Sequence, residues 1–432
     1  MIERSLADWL AYLEQLHPSA IDMGLERSRE VASRLALDKP GKTVITVTGT
    51  NGKGSTCAFI AELIRAQGLR VGVYSSPHLL HYNERVSING VQATDAELCA
   101  AFSAVEQARG ATSLTYFEMG TLAAFWLFQQ AELDVAVLEV GLGGRLDTVN
   151  LVDADLALIT SIGLDHAEWL GDSRDSVAFE KAGIFRNGKP ALCGDLDPPQ
   201  VLQDKAAELH APFILRGRDF DLACGQDVWH WRGVDASGAA LELHNLPLLD
   251  LPLENAALAL QAYALLDLPW QPQQLEVALL ATRLSGRLER HSLRWQGKRL
   301  TLLLDVGHNP HATEYLARRL NSSPHAGRRL AVFGLLADKD LLGVVQPLLS
   351  LVADWSVAPL PTPRSRPADE VQAVLRQAGA TVSLQVDVRS ALRAQCANAA
   401  DGDELLVFGS FYCVDEALMW LVEGEIEHGS AG

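Results

Sequence analysis

Two runs constrain the fold of this chain more than any other feature: DVAVLEV at 134–140 and LALITS at 156–161 are apolar almost throughout. A strand with one wet face alternates apolar and polar residues, so a run without alternation is buried on both faces. Helices covering both sides of a parallel sheet supply that burial. The flanking segments agree: a β-rich run at 43–48 leads into helical spacing at 54–67, LRVGVY at 69–74 reads as a strand, and helical stretches at 95–109 and 118–131 precede 134–140. The pattern predicts a doubly wound, mostly parallel α/β core, closed by a helical region at 253–283.

A second alternation begins after SGRLERHSL. A hairpin-like stretch at 289–304 is followed by strands and helices at 301–305, 311–320, 328–333, 340–350, 355–359, 368–378, 381–386, 388–399 and 404–409. This predicts a smaller second α/β unit, with the boundary near 284–290. A chain of 432 residues has room for it.

Charge and composition exclude several classes. The formal net charge of −18, with no Lys/Arg run, repels nucleic-acid backbones. An anionic small molecule would need a locally positive cleft. The N-terminal stretch carries a helical apolar stripe (Leu6, Trp9, Leu10, Leu13, Leu16) and lacks the blocks of a signal peptide. No apolar run is long enough to span a bilayer. The six cysteines are scattered without a C-x-x-C, as in a reduced cytoplasmic protein.

The stretch TVITVTGTNGKGST at 43–56 has the strand, glycine turn, helix order of a phosphate-binding loop, yet departs from the usual spacing: the first glycine of G-x-x-x-x-G-K would fall at Val47. Glycines let backbone N–H groups converge on an anion, and the helix that follows adds its dipole. Lys53 can reach terminal phosphates, and Ser55 or Thr56 can approach a magnesium ion. The plainer reading is a tight turn with an incidental lysine.

Open α/β sheets bind ligands beyond the carboxyl ends of their strands. DVAVLEV ends near Glu139, a carboxylate that either serves a turn or awaits a cation. The strand at 69–74 runs into Ser75, Ser76, Pro77 and His78. The strand at 156–160 runs into a loop carrying Asp165 and His166. RLTLLLDVGHNP ends on Asp305, with His308 and Asn309 ahead of Pro310, which can open a helix. EVGLGGRLD at 139–147 imitates a dinucleotide-binding turn, but Leu146 occupies the third glycine position and a strand follows instead of a helix.

Together TGTNGKGST, YSSPHLLHYNERV, TYFEMGTLAAFW, EVGLGGRLDTVN, SIGLDHAEWLG, EKAGIFR, LDVGHNPHA and GSFY occur in order along nearly the whole chain. The set resembles the folylpolyglutamate synthase / dihydrofolate synthase family of the Mur ligase superfamily. The resemblance implies an N-terminal P-loop domain over 1–286, a smaller Rossmann-like domain over 287–432, and an active site in the cleft between them. It implies ATP-dependent ligation of L-glutamate to dihydropteroate and to reduced folates through an acyl phosphate, in a cytoplasmic monomer. ATP and Mg²⁺, at two sites, are the implied cofactors.

By the same resemblance Thr50, Asn51, Gly52, Lys53, Gly54 and Ser55 hold the ATP phosphates, with Asn255, Arg287 and Asp305 as further nucleotide contacts and His308 beside them. Ser76 and Glu139 bind one magnesium ion and His166 serves the second. Lys181 matches a lysine carried as a carbamate, so Lys53, His166 and Lys181 form the implied catalytic set. Ile21, Asp22 and Met23, then Thr115, Tyr116, Phe117 and Glu118, then Leu146, Asp147 and Thr148 match the dihydropteroate pocket. There Phe117 is placed to stack on the ring, and Asp22 or Asp147 to accept from ring nitrogens. The GRLD form favours a bifunctional enzyme. The chain departs from the family's pattern at DTVN and at Gly307, where alanine is usual.

The alternatives are a monofunctional folylpolyglutamate synthase, a cell-wall Mur ligase, a P-loop switch and an oxidoreductase. A cell-wall ligase would carry a further N-terminal domain, for which a P-loop arriving by residue 49 leaves no room. A switch explains neither YSSPHLLHYNERV nor Glu139, His166 and Lys181, and an oxidoreductase fails at Leu146. Arg364–Arg366 and Ala337–Asp340 are either glutamate contacts or solvated surface.

Overall fold

A computed structural model describes residues 4–322 and 325–423, together with the short strand at 427–428. The chain divides into two compact units, Met1–Arg283 and Leu284–Gly432.

The first unit is built on an eight-stranded sheet. In chain order its strands are β1 (Thr43–Thr48), β2 (Val71–Tyr74), β3 (Val86–Ile88), β4 (Val91–Gln92), β5 (Val135–Glu139), β6 (Leu156–Ile159), β7 (Ala191–Cys193) and β8 (Phe213–Leu215). Their spatial order is β4-β3-β2-β5-β1-β6-β7-β8. β2, β5, β1, β6, β7 and β8 pair in parallel, and β3 and β4 add an antiparallel edge. All five residues of β5 and all four of β6 are buried, as their unbroken apolar runs require.

The helices of this unit are α1 (Leu6–Leu13), α2 (Glu26–Arg34), α3 (Lys53–Arg65), α4 (Asp95–Arg109), α5 (Tyr116–Ala131), α6 (Ala167–Leu170), α7 (Arg174–Ala182), α8 (Gln200–Glu208), α9 (Leu253–Ala264) and α10 (Pro272–Ala281). α1 buries Trp9 and Leu13 of its apolar stripe. In α5, Thr115 and Glu118 close a reciprocal capping box that fixes where the helix starts. The region expected to be helical over 253–283 is two helices with a break between Leu265 and Gln271.

The apolar-run argument assigns nothing to 162–252, and there the structure adds most. Beyond α6–α8, β7 and β8 lies a separate antiparallel sheet of β9 (Asp221–Cys224), β10 (Val228–Val234) and β11 (Ala240–Pro247). Its buried Trp231 donates to Ala257 O at 3.0 Å, tying the sheet to α9. The segment between β2 and α4, expected as a loop, contains a 3₁₀ turn at Tyr82–Arg85 and the β3–β4 hairpin.

In the second unit β12 (Glu289–Trp295) and β13 (Lys298–Leu304) form the expected hairpin. Its turn residues Gln296 and Gly297 both take positive φ, as a two-residue hairpin requires. α11 (Pro310–Ser322), β14 (Arg329–Phe333), α12 (Leu341–Val345), β15 (Asp354–Val357), α13 (Ala368–Gln377), β16 (Val382–Leu384), α14 (Val388–Asn398), β17 (Glu404–Phe408) and α15 (Phe411–Val422) complete the alternation. The sheet order is β16-β15-β14-β17-β13-β12, ending on the strand at 427–428. Arg364 pairs with Asp338 at 3.0 Å, and Arg366 donates to the carbonyls of Ala337 and Lys339, so these two loops brace one another. Among the described residues no helix is long and apolar enough to cross a membrane.

Candidate active site

β1 delivers its last residue into a loop whose glycines have distinct causes. Gly49 (φ +150°) lies where a Cβ would meet Thr160 Oγ1 at 1.8 Å, and Gly52 (φ +88°) lies against the Asn255 amide, which a Cβ would meet at 2.5 Å. Gly52 caps α3 in the left-handed region, which a side chain disfavours. The N–H groups that open α3, those of Lys53, Gly54 and Ser55, have no partner within the helix. They point where an anion is stabilised.

The loop is anchored to the end of β6. Thr50 N–H donates to Ser161 O at 2.9 Å, and the Thr50 hydroxyl exchanges hydrogen bonds with both backbone groups of Gly163, each at 2.9 Å. Asn51 N–H donates to Ser161 Oγ. The Lys53 ammonium rests on the carbonyl of Gly49 at 3.0 Å. Asn255, on α9, donates to Ser55 Oγ at 2.7 Å and so reaches the loop from 200 residues away.

Glu139 ends β5 beside Val47 and is buried at 4% exposure. It accepts from Ser76 N–H at 3.2 Å, so the structure brings Ser76 and Glu139 together. His166 follows Asp165 in the loop after β6, in the left-handed region (φ +52°), and its ring stands 4.0 Å from the Asp165 carboxylate. Among the described residues no three His, Cys, Asp or Glu side chains form a metal cage. Magnesium does not require one, since it is held by one or two carboxylates plus waters and phosphate oxygens. A buried carboxylate and a hydroxyl beside a phosphate loop fit that need.

Lys181, on α7, is 3% exposed. Burial, helped by the Lys53 charge and opposed by Asp165 and Asp147, pulls its amine down to about 7. Four groups from four motifs therefore share one field.

EVGLGGRLD is a loop clamped to α7, not a dinucleotide turn. Thr48 Oγ1 donates to Gly143 O at 2.5 Å and Arg145 N–H donates to Glu180 O at 2.8 Å. A Cβ on Gly144 would press on the Glu180 carbonyl at 3.0 Å. After Leu146, which is half-buried, a single 3₁₀ turn at Thr148–Leu151 leads directly to β6.

Asp147 caps that turn. Its carboxylate accepts from Val149 N–H at 2.9 Å and Leu142 N–H at 2.8 Å, while burial pushes its pKa up to about 6. Phe117 faces the same point: a Cβ on Gly141 would lie 2.6 Å from the Phe117 ring and 3.3 Å from Asp147 Oδ2. Nothing in the local sequence marks Gly141 for this role, because Phe117 comes from α5, more than twenty residues earlier.

The other pocket candidates form a polar network. Asp22 Oδ2 accepts from Arg27 Nη1 at 2.6 Å and lies 3.2 Å from His17 Nε2. Arg27 Nη2 also reaches Glu118, whose carboxylate accepts from Ser28 Oγ and Thr115 N–H. Thr148 Oγ1 lies 3.5 Å from Ser28 Oγ. The oxygens of Glu118 are thus engaged inside the protein, and Asp22 is braced by two partners. Ile21 is exposed, and Met23 reaches toward Gly143.

In the second unit Asp305 is buried and accepts from Gly307 N–H at 2.8 Å and Leu288 N–H at 3.1 Å. Burial raises its pKa, with the Arg287 charge opposing. Arg287 stands 5.6 Å from the Phe411 ring, and His308 packs on the same ring at 6.0 Å. A Cβ on Gly307 would come 2.8 Å from Asp305 Oδ1, so the glycine here suits the position of that carboxylate.

A phosphate loop at the carboxyl edge of a parallel sheet, with a second α/β unit after it, defines an ATP-using enzyme of the Mur ligase class. The Mur ligase middle domain model matches residues 47–215, and the Mur ligase glutamate ligase domain model matches 286–411. The dihydrofolate synthase/folylpolyglutamate synthase of Escherichia coli (strain K12) is 46% identical over 409 residues, covering 95% of this chain and 94% of that one. The solved structure of E. coli FolC in complex with DHPP and ADP aligns with a TM-score of 0.90 at 44% identity, covering 97% of this chain and 98% of that one. A bifunctional folylpolyglutamate synthase/dihydrofolate synthase with Mn, AMPPNP and L-glutamate bound aligns at a TM-score of 0.87 and 44% identity, with the same coverage. The chain belongs to the dihydrofolate synthase/folylpolyglutamate synthase family. It is an ATP-dependent ligase that works with a divalent cation.

Proposed function

We propose that this chain joins L-glutamate to dihydropteroate, giving dihydrofolate, and to reduced folates, giving folylpolyglutamates, in the cytoplasm. The observation that carries the reading is electrostatic: the Lys53 charge of the phosphate loop acts on both Lys181 and Asp147. This supports a reading in which the phosphoryl donor and the acceptor acid are bound side by side.

A carboxylate is a poor acyl donor because its leaving group would be oxide. Phosphoryl transfer from ATP converts it to an acyl phosphate, the α-amino group of glutamate attacks, and the tetrahedral intermediate expels phosphate. Such catalysis is positioning plus charge stabilisation. The loop 50–55 holds the phosphates by its open N–H groups, and Lys53 exchanges its resting carbonyls for phosphate oxygens. Arg287 and Asp305 are assigned to the nucleotide as well.

Ser76 and Glu139 are the residues that would hold one magnesium ion, and His166 would serve a second; the cation neutralises phosphate charge. A lysine near pH 7 in its buried state has the neutral amine that CO₂ addition needs, and the carbamate presents oxygens where an ammonium cannot ligate. Lys181 is assigned that form. Phe117 and Asp147, which both approach the bare Cα of Gly141, are assigned to the pterin ring.

The test is phosphate release by the purified protein with Mg-ATP and L-glutamate, on dihydropteroate and on tetrahydrofolate. Turnover of both is expected. Turnover of tetrahydrofolate alone would leave a monofunctional folylpolyglutamate synthase, and turnover of neither would overturn the reading.

A further inference from the structure

Arg85 closes the 3₁₀ turn Tyr82–Arg85, on the loop that follows Ser76 and leads into β3. Its Nε donates to His78 Nδ1 at 2.8 Å. Its guanidinium carbon stands 5.2 Å from the Tyr82 ring centre and 5.5 Å from that of Tyr116. Two aromatic faces and one ring nitrogen are thus its near contacts, with the Glu84 and Glu14 charges acting on the same His78 and Tyr116 without pairing with it. No carboxylate among the described residues pairs with it, and neither terminal nitrogen donates a hydrogen bond to them.

That is an unusual state for a half-buried cation. Partial desolvation costs free energy that an ion pair normally offsets. Elsewhere in this unit Arg27, Arg109, Arg145, Arg174 and Arg186 each meet a carboxylate. Arg85 also lies between two parts of the site. Ser76, which contacts Glu139, begins its loop; Tyr116, beneath the guanidinium, adjoins Phe117 in α5. Its charge reaches Tyr74, whose ring packs against Phe117 at 6.1 Å.

The two acceptors differ in the charge they bring. Dihydropteroate has one carboxylate, and it is consumed in the reaction. A glutamyl folate has two on its terminal residue: the one extended must reach the phosphoryl group, and the other keeps its charge throughout. We propose that Arg85 receives this second, unreacting carboxylate, its two free Nη groups forming the paired donor that a planar carboxylate fits. Arg85 is then the residue that recognises a glutamylated acceptor. The inference rests on the proposed function and deepens it.

The experiment compares kcat/KM for tetrahydrofolate and dihydropteroate in the full-length protein and in Arg85→Met and Arg85→Lys. Met keeps the aliphatic stem over the tyrosine rings and removes the charge. The expected result is that Arg85→Met loses at least tenfold more on tetrahydrofolate than on dihydropteroate, through KM, and that Arg85→Lys recovers part of it. Equal losses on both acceptors, or none, would overturn the assignment. A second measurement does not depend on the variant's folding: in the wild-type protein, a tetrahydrofolate whose α-carboxylate is an amide should bind at least tenfold more weakly, and undiminished binding would overturn the proposal. Wild-type protein that turns over neither acceptor would defeat the proposed function itself, a different result from any of these.

Discussion

The hydroxyl of Thr50 donates to the carbonyl of Gly163 and accepts from its N–H, both at 2.9 Å, across 113 residues of sequence. One side chain thereby ties the phosphate loop to the loop that carries Asp165 and His166. The Arg174–Asp195 pair pins the same loop one residue earlier, Asp195 accepting from Ile162 N–H at 2.8 Å and Arg174 donating to Ile162 O. Valine at position 50 keeps the shape and removes both bonds. Thr50→Val should cost about 1–3 kcal/mol of stability, the range for stranding buried polar groups. It should also raise the KM for Mg-ATP several-fold, with Thr50→Ser close to wild type. Steady-state kinetics decide it; an unchanged KM in the valine variant would show that the two loops are not coupled.

Gly141 is predicted to set the pterin side of the site through Phe117. Gly141→Ala places a methyl 2.6 Å from the ring atoms, so the ring must move. Overpacking of this kind costs roughly 1–3 kcal/mol. The expected signature is a loss of about tenfold in kcat/KM for dihydropteroate, with the KM for ATP little changed. A parallel loss in both would mean that the loop as a whole had shifted.

Asp147 makes a prediction about pH. Its folded pKa, raised to about 6 from 3.8, means that the folded chain binds more protons than the unfolded chain between those values. Stability from this group therefore falls as pH rises through that window, by up to about 3 kcal/mol. Asp147→Asn removes the titration, so the stability cost of the substitution should be smaller at pH 7 than at pH 4. Urea unfolding at the two pH values tests this, and a larger cost at pH 7 would reverse the argument.

Lys181 predicts a dependence on dissolved CO₂. With its amine near 7, a usable fraction is neutral at physiological pH. Activity should fall in CO₂-depleted buffer and return with bicarbonate, the more readily above pH 7. Lys181→Ala should be inactive and partly rescued by short carboxylic acids. Indifference to CO₂ together with an absence of rescue would remove the carbamate from the mechanism.

Much of the fold was legible because its signals are local. Unbroken apolar runs marked β5 and β6 as strands buried on both faces, and the pattern ERHSLRWQGKRLTLLL marked the β12–β13 hairpin. The antiparallel sheet β9–β11 was not legible, since its burial comes from the packing of Trp231 on α9 and the strands themselves mix wet and dry positions.

At the site the division is similar. The sequence by itself determined the phosphate loop, the strand-end carboxylate Glu139 and the family, because each is written in contiguous residues whose chemistry needs that spacing. Only the tertiary structure decided that Asn255 would hold Ser55, that Glu118 would be occupied by Ser28, Arg27 and its own cap, that Gly141 would make room for Phe117, and that Arg85 would pair with no carboxylate among the described residues. These relationships join residues tens to hundreds of positions apart, and no local period encodes them. They arise when the parallel sheet brings its strand ends to one edge, where burial strengthens every charge that is left there.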